Sequence, residues 1–516
     1  MEKTPTVSII GAGPGDPALI SLRGLRALAQ ADVVIFDHLV HKRLLRHARP
    51  GAERIDVGPA APQPLAQEAI CYLLAEKARE GKVVARLKWG DPFVFDRGGE
   101  EAIFLHEQGV PFEVIPGIPA AVGVPAYAGI PLTYPGAGDA VVFVRGFESE
   151  DGRRPDVDWA SLGKIDGTLV CYCGPRQLPA ILDVMLSHGW DPACPAALVV
   201  NGTTPSQETV SATLGELARQ AREPRFREPA MLIVGRVIGL REHLRWFDAR
   251  PLFGKRVVVT RPREQAVELV ELLEGLGASV IEAPAVRIVA PDDFQPLDEA
   301  IASVGQYDWI VFTSVNGVDY FLQRLQAGPY DARALAGVKL CAVGPGTAER
   351  LAKYWLKVDL MPGEYRAEAV VEALRGEGEI AGRKFLLPRT DIAREVLGDE
   401  LRRLGAEVTE VTAYRSVAVE PEREHEPDIF RMLLDRKVDV VTFTSASTVR
   451  NFCRLYGTDA VADLLRSVAI ASIGPVTAEA ALQCDIHTSI MPSEYTIPAL
   501  VRAIVEHFER APSVAT

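Results

Sequence analysis

The chain has 516 residues, with 56 Lys and Arg against 69 Asp and Glu and a formal net charge of −13. At ~150 residues per domain, that length calls for about three or four compact units rather than one core. The charge excludes a dedicated nucleic-acid binder, which needs a basic stripe or domain, but permits an anionic substrate held by local arginines and helix N-termini.

Met1-Glu2-Lys3-Thr4-Pro5 leads straight into a strand-like stretch without a signal-peptide pattern. No apolar run approaches the ~18 residues of a membrane span. Cys71, Cys171, Cys173, Cys194, Cys341, Cys453 and Cys484 form no CxxC pair or zinc array. Reduced thiols in a cytoplasmic protein are therefore expected. His38 and His41 flank an apolar pair after a strand and read as surface residues, not as metal ligands.

In chain order, Val7–Ile10 reads as a strand, and Gly11-Ala12-Gly13-Pro14-Gly15-Asp16 as the turn into a helix. The sixth position is Asp16, not Gly, so the dinucleotide fingerprint fails. The glycines still permit close backbone approach to a ligand. Val33–Phe36 is a strand ending at Asp37, and Val83–Leu87 leads to Gly90-Asp91-Pro92. Arg97-Gly98-Gly99-Glu100-Glu101 opens a helix, Gly167–Tyr172 is a further strand, and Asn201–Gln207 is a turn. Arg241–Phe247 reads as a closing helix, residues 246–254 contain a short Pro/Gly linker, and Lys255 opens a new strand.

The second half repeats itself at an offset of about 130 residues. Phe312-Thr313-Ser314 matches Phe443-Thr444-Ser445, and Gly344-Pro345-Gly346-Thr347 matches Gly474-Pro475-Val476-Thr477. Pro362–Tyr365 matches Pro492–Tyr495, and Val259-Thr260-Arg261 matches Leu387-Pro388-Arg389. Alternating strands and helical periods in both halves specify α/β architecture with mostly parallel sheets. The repeat adds two similar lobes and a cleft between them, the default place for a ligand.

Each repeat sets hydroxyl residues between a strand and a helix. Such residues cap the helix, and the free N–H groups above a cap can bind a carboxylate. At any one turn capping suffices; several turns on facing lobes point to a ligand with several carboxylates. No metal motif, nucleophile elbow or P-loop is present. A reaction that mainly needs a flexible substrate held in one shape suits such a surface.

Taken in order, Val-Thr-Arg-Pro, Phe-Thr-Ser-x-Asn-Gly-Val, Val-Gly-Pro-x-Thr-Ala, Leu-Pro-Arg, Tyr-Arg, Phe-Thr-Ser-x-Ser-Thr-Val and Ile-Gly-Pro-x-Thr-Ala resemble uroporphyrinogen-III synthase across nearly all of residues 255–510. The resemblance implies two α/β lobes joined by a β-ladder. It implies closure of hydroxymethylbilane to uroporphyrinogen III with inversion of ring D and loss of water, and no cofactor. It places substrate carboxylates on main-chain N–H groups near Ser314, Thr347, Ser445 and Thr477, and has Tyr414 help the hydroxyl leave. A buried strand aromatic is the other reading of Tyr414.

The first-half motifs resemble uroporphyrinogen-III C-methyltransferase over roughly residues 5–245. The resemblance implies two α/β domains with S-adenosylmethionine between them and two methylations, through precorrin-1 to precorrin-2. Its cofactor contacts fall on Pro14, Trp89, Gly90, Asp91, Val94, Pro119, Ala120, Cys173 and Gly202, and its proton acceptor on Asp37, which could otherwise merely cap the next turn. It also implies a possible homodimer through this half. Trp89 and Asp96 stand where the family usually has Gly, Cys173 where it has Met, and Pro59 where it has a proton-donating Lys. Three readings follow. One is a bifunctional enzyme acting on small tetrapyrroles on the way to sirohaem or cobalamin. Another is a synthase carrying a methyltransferase-like domain that binds ligand or organises the chain. The third is a two-lobed protein that binds the carboxylated tetrapyrrole without closing the ring. None implies a metal, a nucleic acid or a membrane.

Overall fold

The computed structural model describes residues 7–58, 64–146, 156–174, 177–222, 230–363, 367–391, 396–418 and 428–510. Pro59 lies outside them. The chain divides into two compact units. One runs to Lys255 and takes in Leu276–Ser279; the other holds Arg256–Gly275 and the chain from Val280.

In the first unit, short apolar runs build β1 (Val7–Gly11), β2 (Val33–Phe36), β3 (Glu53–Asp56), β4 (Val84–Lys88) and β5 (Phe112–Ile115). They form one sheet in the order β3-β2-β4-β1-β5, wholly parallel. Val7 and Ile9 face one apolar cluster and Ile10 and Ala12 the other, so helices cover both faces. Ligands of such sheets bind beyond the carboxyl ends of the strands. Asp37, Gly11 and Trp89 all lie at those ends.

The second sheet of this unit departs from the parallel expectation. β6 (Ala140–Arg145), β7 (Gly167–Cys173), β8 (Pro195–Val200), β9 (Glu208–Thr213) and β10 (Ala230–Val234) run in the order β6-β7-β10-β8-β9. Only β6 and β7 pair in parallel. The reversal between β8 and β9 uses Asn201 (φ 50°) and Thr203 (φ 66°), both left-handed. The expected closing helix is also shorter, Arg241–Leu244. Trp246 and Phe247 leave it to pack on Tyr127, at 5.1 and 4.6 Å between ring centroids, a better use of two large aromatics than further helical turns.

The second unit contains two sheets. β11 (Arg256–Val259), β12 (Ser279–Glu282), β18 (Val440–Phe443) and β19 (Ala469–Ser472) form one, in the order β12-β11-β18-β19. β13 (Val286–Val289), β14 (Trp309–Phe312), β15 (Lys339–Ala342), β16 (Lys384–Thr390) and β17 (Glu407–Ala418) form the other, in the order β13-β17-β16-β14-β15. The two lobes are similar, but neither is one sequence repeat: each takes its opening strand from the other repeat. β11 of the first repeat pairs with β18 of the second, and β14 of the first with β16 of the second. The same device secures both exchanges. Asp439 accepts a hydrogen bond from the Arg256 N–H at 2.7 Å, and Asp308 accepts one from the Lys384 N–H at 2.7 Å. β13 pairs antiparallel with the end of β17, and Ile288 packs against both lobe cores.

Candidate active sites

In the first unit the backbone closes tightly where β1, β4 and β5 end. A Cβ on Gly117 would lie 2.2 Å from the Gly90 carbonyl oxygen, and one on Gly11 would lie 2.4 Å from the Gly117 nitrogen. Gly13 and Gly90 exchange backbone hydrogen bonds at 2.9 and 3.2 Å. The Asp91 carboxylate accepts from the N–H groups of Gly117 and Phe93, at 3.0 and 2.8 Å. These contacts hold the chain in position before the helix Ala120–Tyr127, whose N-cap is Pro119.

The residues named for S-adenosylmethionine largely gather around that helix. Pro14 packs on Gly123, and Gly202 packs on Val124, so close that a Cβ on either glycine would stand 2.6–2.7 Å away. The Val94 N–H donates to the Asp91 carbonyl. Gly90 (φ 70°) opens a notch: a Cβ there would meet nothing nearer than 3.8 Å, with Ala120, Pro119 and Ile118 as its walls. A notch walled by backbone fits a cofactor that needs close approach, so these residues suit S-adenosylmethionine. The Trp89 indole stands next to Gly90 in sequence. That side chain is half-buried against the apolar cluster containing Ala120, Ala121 and Val124. Cys173 is placed differently from the rest. Strand alternation turns Tyr172 towards the helix, where its hydroxyl accepts from the Ala121 N–H at 3.0 Å. It turns Cys173 into the core on the opposite face, which leaves only its main chain on the helix side.

Asp37 belongs to a charge cluster that pattern reading missed. Arg86 and Lys88, on β4, are buried with the rest of that strand. Arg86 donates to Asp37 Oδ1 at 2.6 Å and to Glu101 Oε1 at 3.0 Å. Lys88 Nζ lies 3.1 Å from both Glu101 Oε1 and Asp96 Oδ1, and 3.8 Å from Asp37 Oδ2. Gln67 donates to Glu101 Oε1 as well. Burial opposes ionisation of Glu101, but Arg86 and Lys88 outweigh it and hold the carboxyl below its usual range. At Asp96 burial prevails over Lys88 and pushes the carboxyl up. The usable signal was Arg86 and Lys88 two apart in an otherwise buried strand: both cations face one side and demand carboxylates.

In the second unit the structure brings Ser314 and Tyr414 together. Ser314 caps the helix Val315–Ala327 by accepting from the Gly317 N–H at 3.0 Å. Its Oγ is 3.0 Å from the Tyr414 hydroxyl. Burial raises the Tyr414 pKa, while the side chains of Ser314 and Asn316 favour the ionised form. Ser445 caps the helix Ala446–Tyr456 in the same way, accepting from the Thr448 N–H at 3.2 Å. Thr347 and Thr477 differ. Both are buried, and their N–H groups bond to Gly344 and Gly474 carbonyls at 3.1 Å. Those two residues are occupied inside their own turns, so an arriving carboxylate would meet neighbouring backbone. No group of His, Cys, Asp and Glu among the described residues could hold a metal ion, and none of the described helices is long and apolar enough to cross a membrane.

Two family models match the chain: Tetrapyrrole (Corrin/Porphyrin) Methylases over residues 6–218, and Uroporphyrinogen-III synthase HemD over residues 267–502. The porphyrin biosynthesis protein HemD of Ruminiclostridium josui is 36% identical over 506 residues, covering 97% of each chain. The uroporphyrinogen-III C-methyltransferase of Bacillus subtilis (strain 168) is 34% identical over 352 residues, 68% of this chain and 72% of its own. The siroheme synthase of Methylococcus capsulatus is 45% identical over 246 residues, 48% of this chain and 52% of its own. Among solved structures, the uroporphyrin-III C-methyl transferase of Thermus thermophilus, complexed with S-adenyl homocysteine, is 39% identical (TM-score 0.40; 45% of this chain, 99% of its own). A mutant uroporphyrinogen III synthase, also of Thermus thermophilus, is 18% identical (TM-score 0.39; 50% of this chain, 99% of its own).

Proposed function

The chain belongs to the HemD family of porphyrin-biosynthesis enzymes, with a tetrapyrrole-methylase region ahead of a uroporphyrinogen-III synthase region, and from that premise we propose that it is bifunctional: it closes hydroxymethylbilane to uroporphyrinogen III and methylates that product to precorrin-2. The observation that carries the reading is the Ser314–Tyr414 hydroxyl pair beside a capped helix start. Ser314 Oγ accepts from the Gly317 amide, so its own proton is free to bond to the phenol oxygen. The phenolic proton of Tyr414 then goes to the departing hydroxyl, the C–O bond breaks, and water leaves. The bond from Ser314 supports the charge left on the phenol oxygen. Helix starts at Ser314 and Ser445, and the turns before Thr347 and Thr477, receive carboxylates and hold the linear substrate in the shape that closes.

For the first unit, S-adenosylmethionine, when bound, supplies the methyl group. The chain's own part is to leave the notch at Gly90 open, to shape it with Pro14, Pro119, Ala120, Val94, Asp91 and Gly202, and to accept a proton at Asp37. Arg86 holds Asp37 Oδ1 at 2.6 Å and Lys88 pairs with Oδ2 at 3.8 Å, so two cations fix the carboxylate that would take the proton. The 34% identity to the uroporphyrinogen-III C-methyltransferase of Bacillus subtilis supports retained methyl transfer over a merely ligand-binding domain. The siroheme synthase among the relatives supports sirohaem as a destination.

The test supplies the full chain with hydroxymethylbilane and methyl-labelled S-adenosylmethionine. Labelled precorrin-2 is expected. Unlabelled uroporphyrinogen III overturns the methylation arm and leaves the synthase arm standing, whereas isomer I alone overturns the synthase arm.

A further inference from the structure

We propose that Arg261 is a carboxylate-binding residue of the synthase site, gripping one acid side chain of the linear tetrapyrrole near Tyr414; the proposal rests on the synthase reading above. Arg261 lies just beyond the carboxyl end of β11, in one lobe. Its Nε donates to Gln265 Oε1 at 3.4 Å. Gln265 passes its amide to Asn316 Oδ1 in the other lobe. Asn316 sits beside the Tyr414 hydroxyl, which bonds to Ser314. One polar chain thus runs from a guanidinium in one lobe to the phenol in the other.

The repeat supplies an internal control. Arg389 occupies the equivalent place at the end of β16, and it is ion-paired with Glu410 at 2.5 Å. Arg261 has no carboxylate within ion-pair distance among the described residues, and Gln265 is its one hydrogen-bond partner there. It is nevertheless only half-exposed. Burial lowers its pKa, with Glu268 the opposing charge. A partly desolvated cation with no carboxylate in direct contact is unfavourable unless a ligand brings one. The planar guanidinium has five donors, and a carboxylate matches two of them side by side. The substrate class that fits is a flexible polycarboxylate whose acid side chain meets Arg261 while its hydroxyl meets Tyr414.

The experiment measures synthase kinetics on the full chain with hydroxymethylbilane, for Arg261→Gln, Arg261→Lys and Arg389→Gln. Arg261→Gln is expected to raise KM about tenfold with kcat nearly unchanged. Arg261→Lys keeps the charge but not the fork, and should raise KM only roughly threefold. Salt should raise the wild-type KM more steeply than that of Arg261→Gln. A wild-type KM in Arg261→Gln, or an equal rise in Arg389→Gln, overturns the proposal. If Arg261→Gln fails to fold, a wild-type KM in Arg261→Lys overturns it instead. A wild-type chain that makes only isomer I removes the synthase reading and this assignment together.

Discussion

At the scale of single residues, the proposed loss of water rests on two hydroxyls 3.0 Å apart, those of Tyr414 and Ser314. The phenol is buried, and the serine, which already accepts from the Gly317 amide, has its own proton to give to the phenol oxygen in the proposed step. Tyr414→Phe keeps the ring and its packing against Tyr320, 5.9 Å away, but removes the proton. Formation of uroporphyrinogen III should fall in kcat by about 100-fold, with KM little changed. A wild-type kcat would leave Tyr414 as a packed strand aromatic and nothing more. Glu101 has a different burden. It is fully buried and faces two buried cations. Glu101→Gln should destabilise the first unit by about 3 kcal/mol in urea unfolding, because it leaves Arg86 and Lys88 short of charge. The same cluster sets a pH dependence. The Glu101 carboxyl is held low in the folded state, so its contribution is complete above the unfolded carboxylate range, near pH ~4.3. It is lost as pH falls further, through the folded value. Asp96 has the opposite sign: its carboxyl is raised, and protonation as the medium turns acidic relieves an unfavourable burial first. Stability on acidification should therefore hold briefly before it drops, and Asp96→Asn should remove the early relief.

At the scale of elements, the strand ends decide what the glycines are for. Gly117 has no room for a methyl group, since a Cβ would press on the Gly90 carbonyl at 2.2 Å. Gly90 has room but a left-handed φ of 70°. Gly90→Ala should cost only about 1–2 kcal/mol in stability and should weaken S-adenosylhomocysteine binding, because the methyl group enters the notch. Gly117→Ala should cost more stability than Gly90→Ala, and calorimetry on the two variants ranks them. Equal losses with unchanged binding would remove the notch from the site. The glycines of the Gly11–Gly15 turn were legible as places of close approach, since they follow the strand at Val7–Ile10. The strands themselves and the caps at Ser314 and Ser445 were legible too. The tight fit of Gly117 was not. Nor was the exchange of opening strands: a repeat reveals similarity between segments, and partner choice emerges only from ties such as Asp439 to Arg256 and Asp308 to Lys384. Arg86 and Lys88 announced a need for carboxylates, but a strand pattern cannot say that Glu101, fifteen positions beyond Arg86, arrives from a helix. Trp246 and Phe247 fit a helical period equally well; packing on Tyr127, and the bond from the Trp246 indole N–H to the Ala126 carbonyl at 2.9 Å, come from distant parts of the chain.

At the scale of the whole molecule, each unit carries its own apolar clusters. Those of the first unit surround its two sheets, and those of the second surround the two lobes. A core contained within a unit makes that unit a candidate cooperative block. Calorimetry of the full chain should therefore resolve two transitions rather than one. A ligand stabilises only the block that binds it: at ~100 times its dissociation constant it adds about 2.7 kcal/mol. For a block of this size that is roughly a 5–10 °C rise. S-adenosylhomocysteine should move one transition by that amount and leave the other in place. Glu101→Gln supplies the assignment, because its charge cluster lies wholly in the first unit: it should lower the same transition that the ligand raises. A single transition, or a ligand that shifts both equally, would mean that the two units unfold as one block. The separate behaviour expected of methylase and synthase variants would then fail as well, since a lesion in either unit would reach the stability of both.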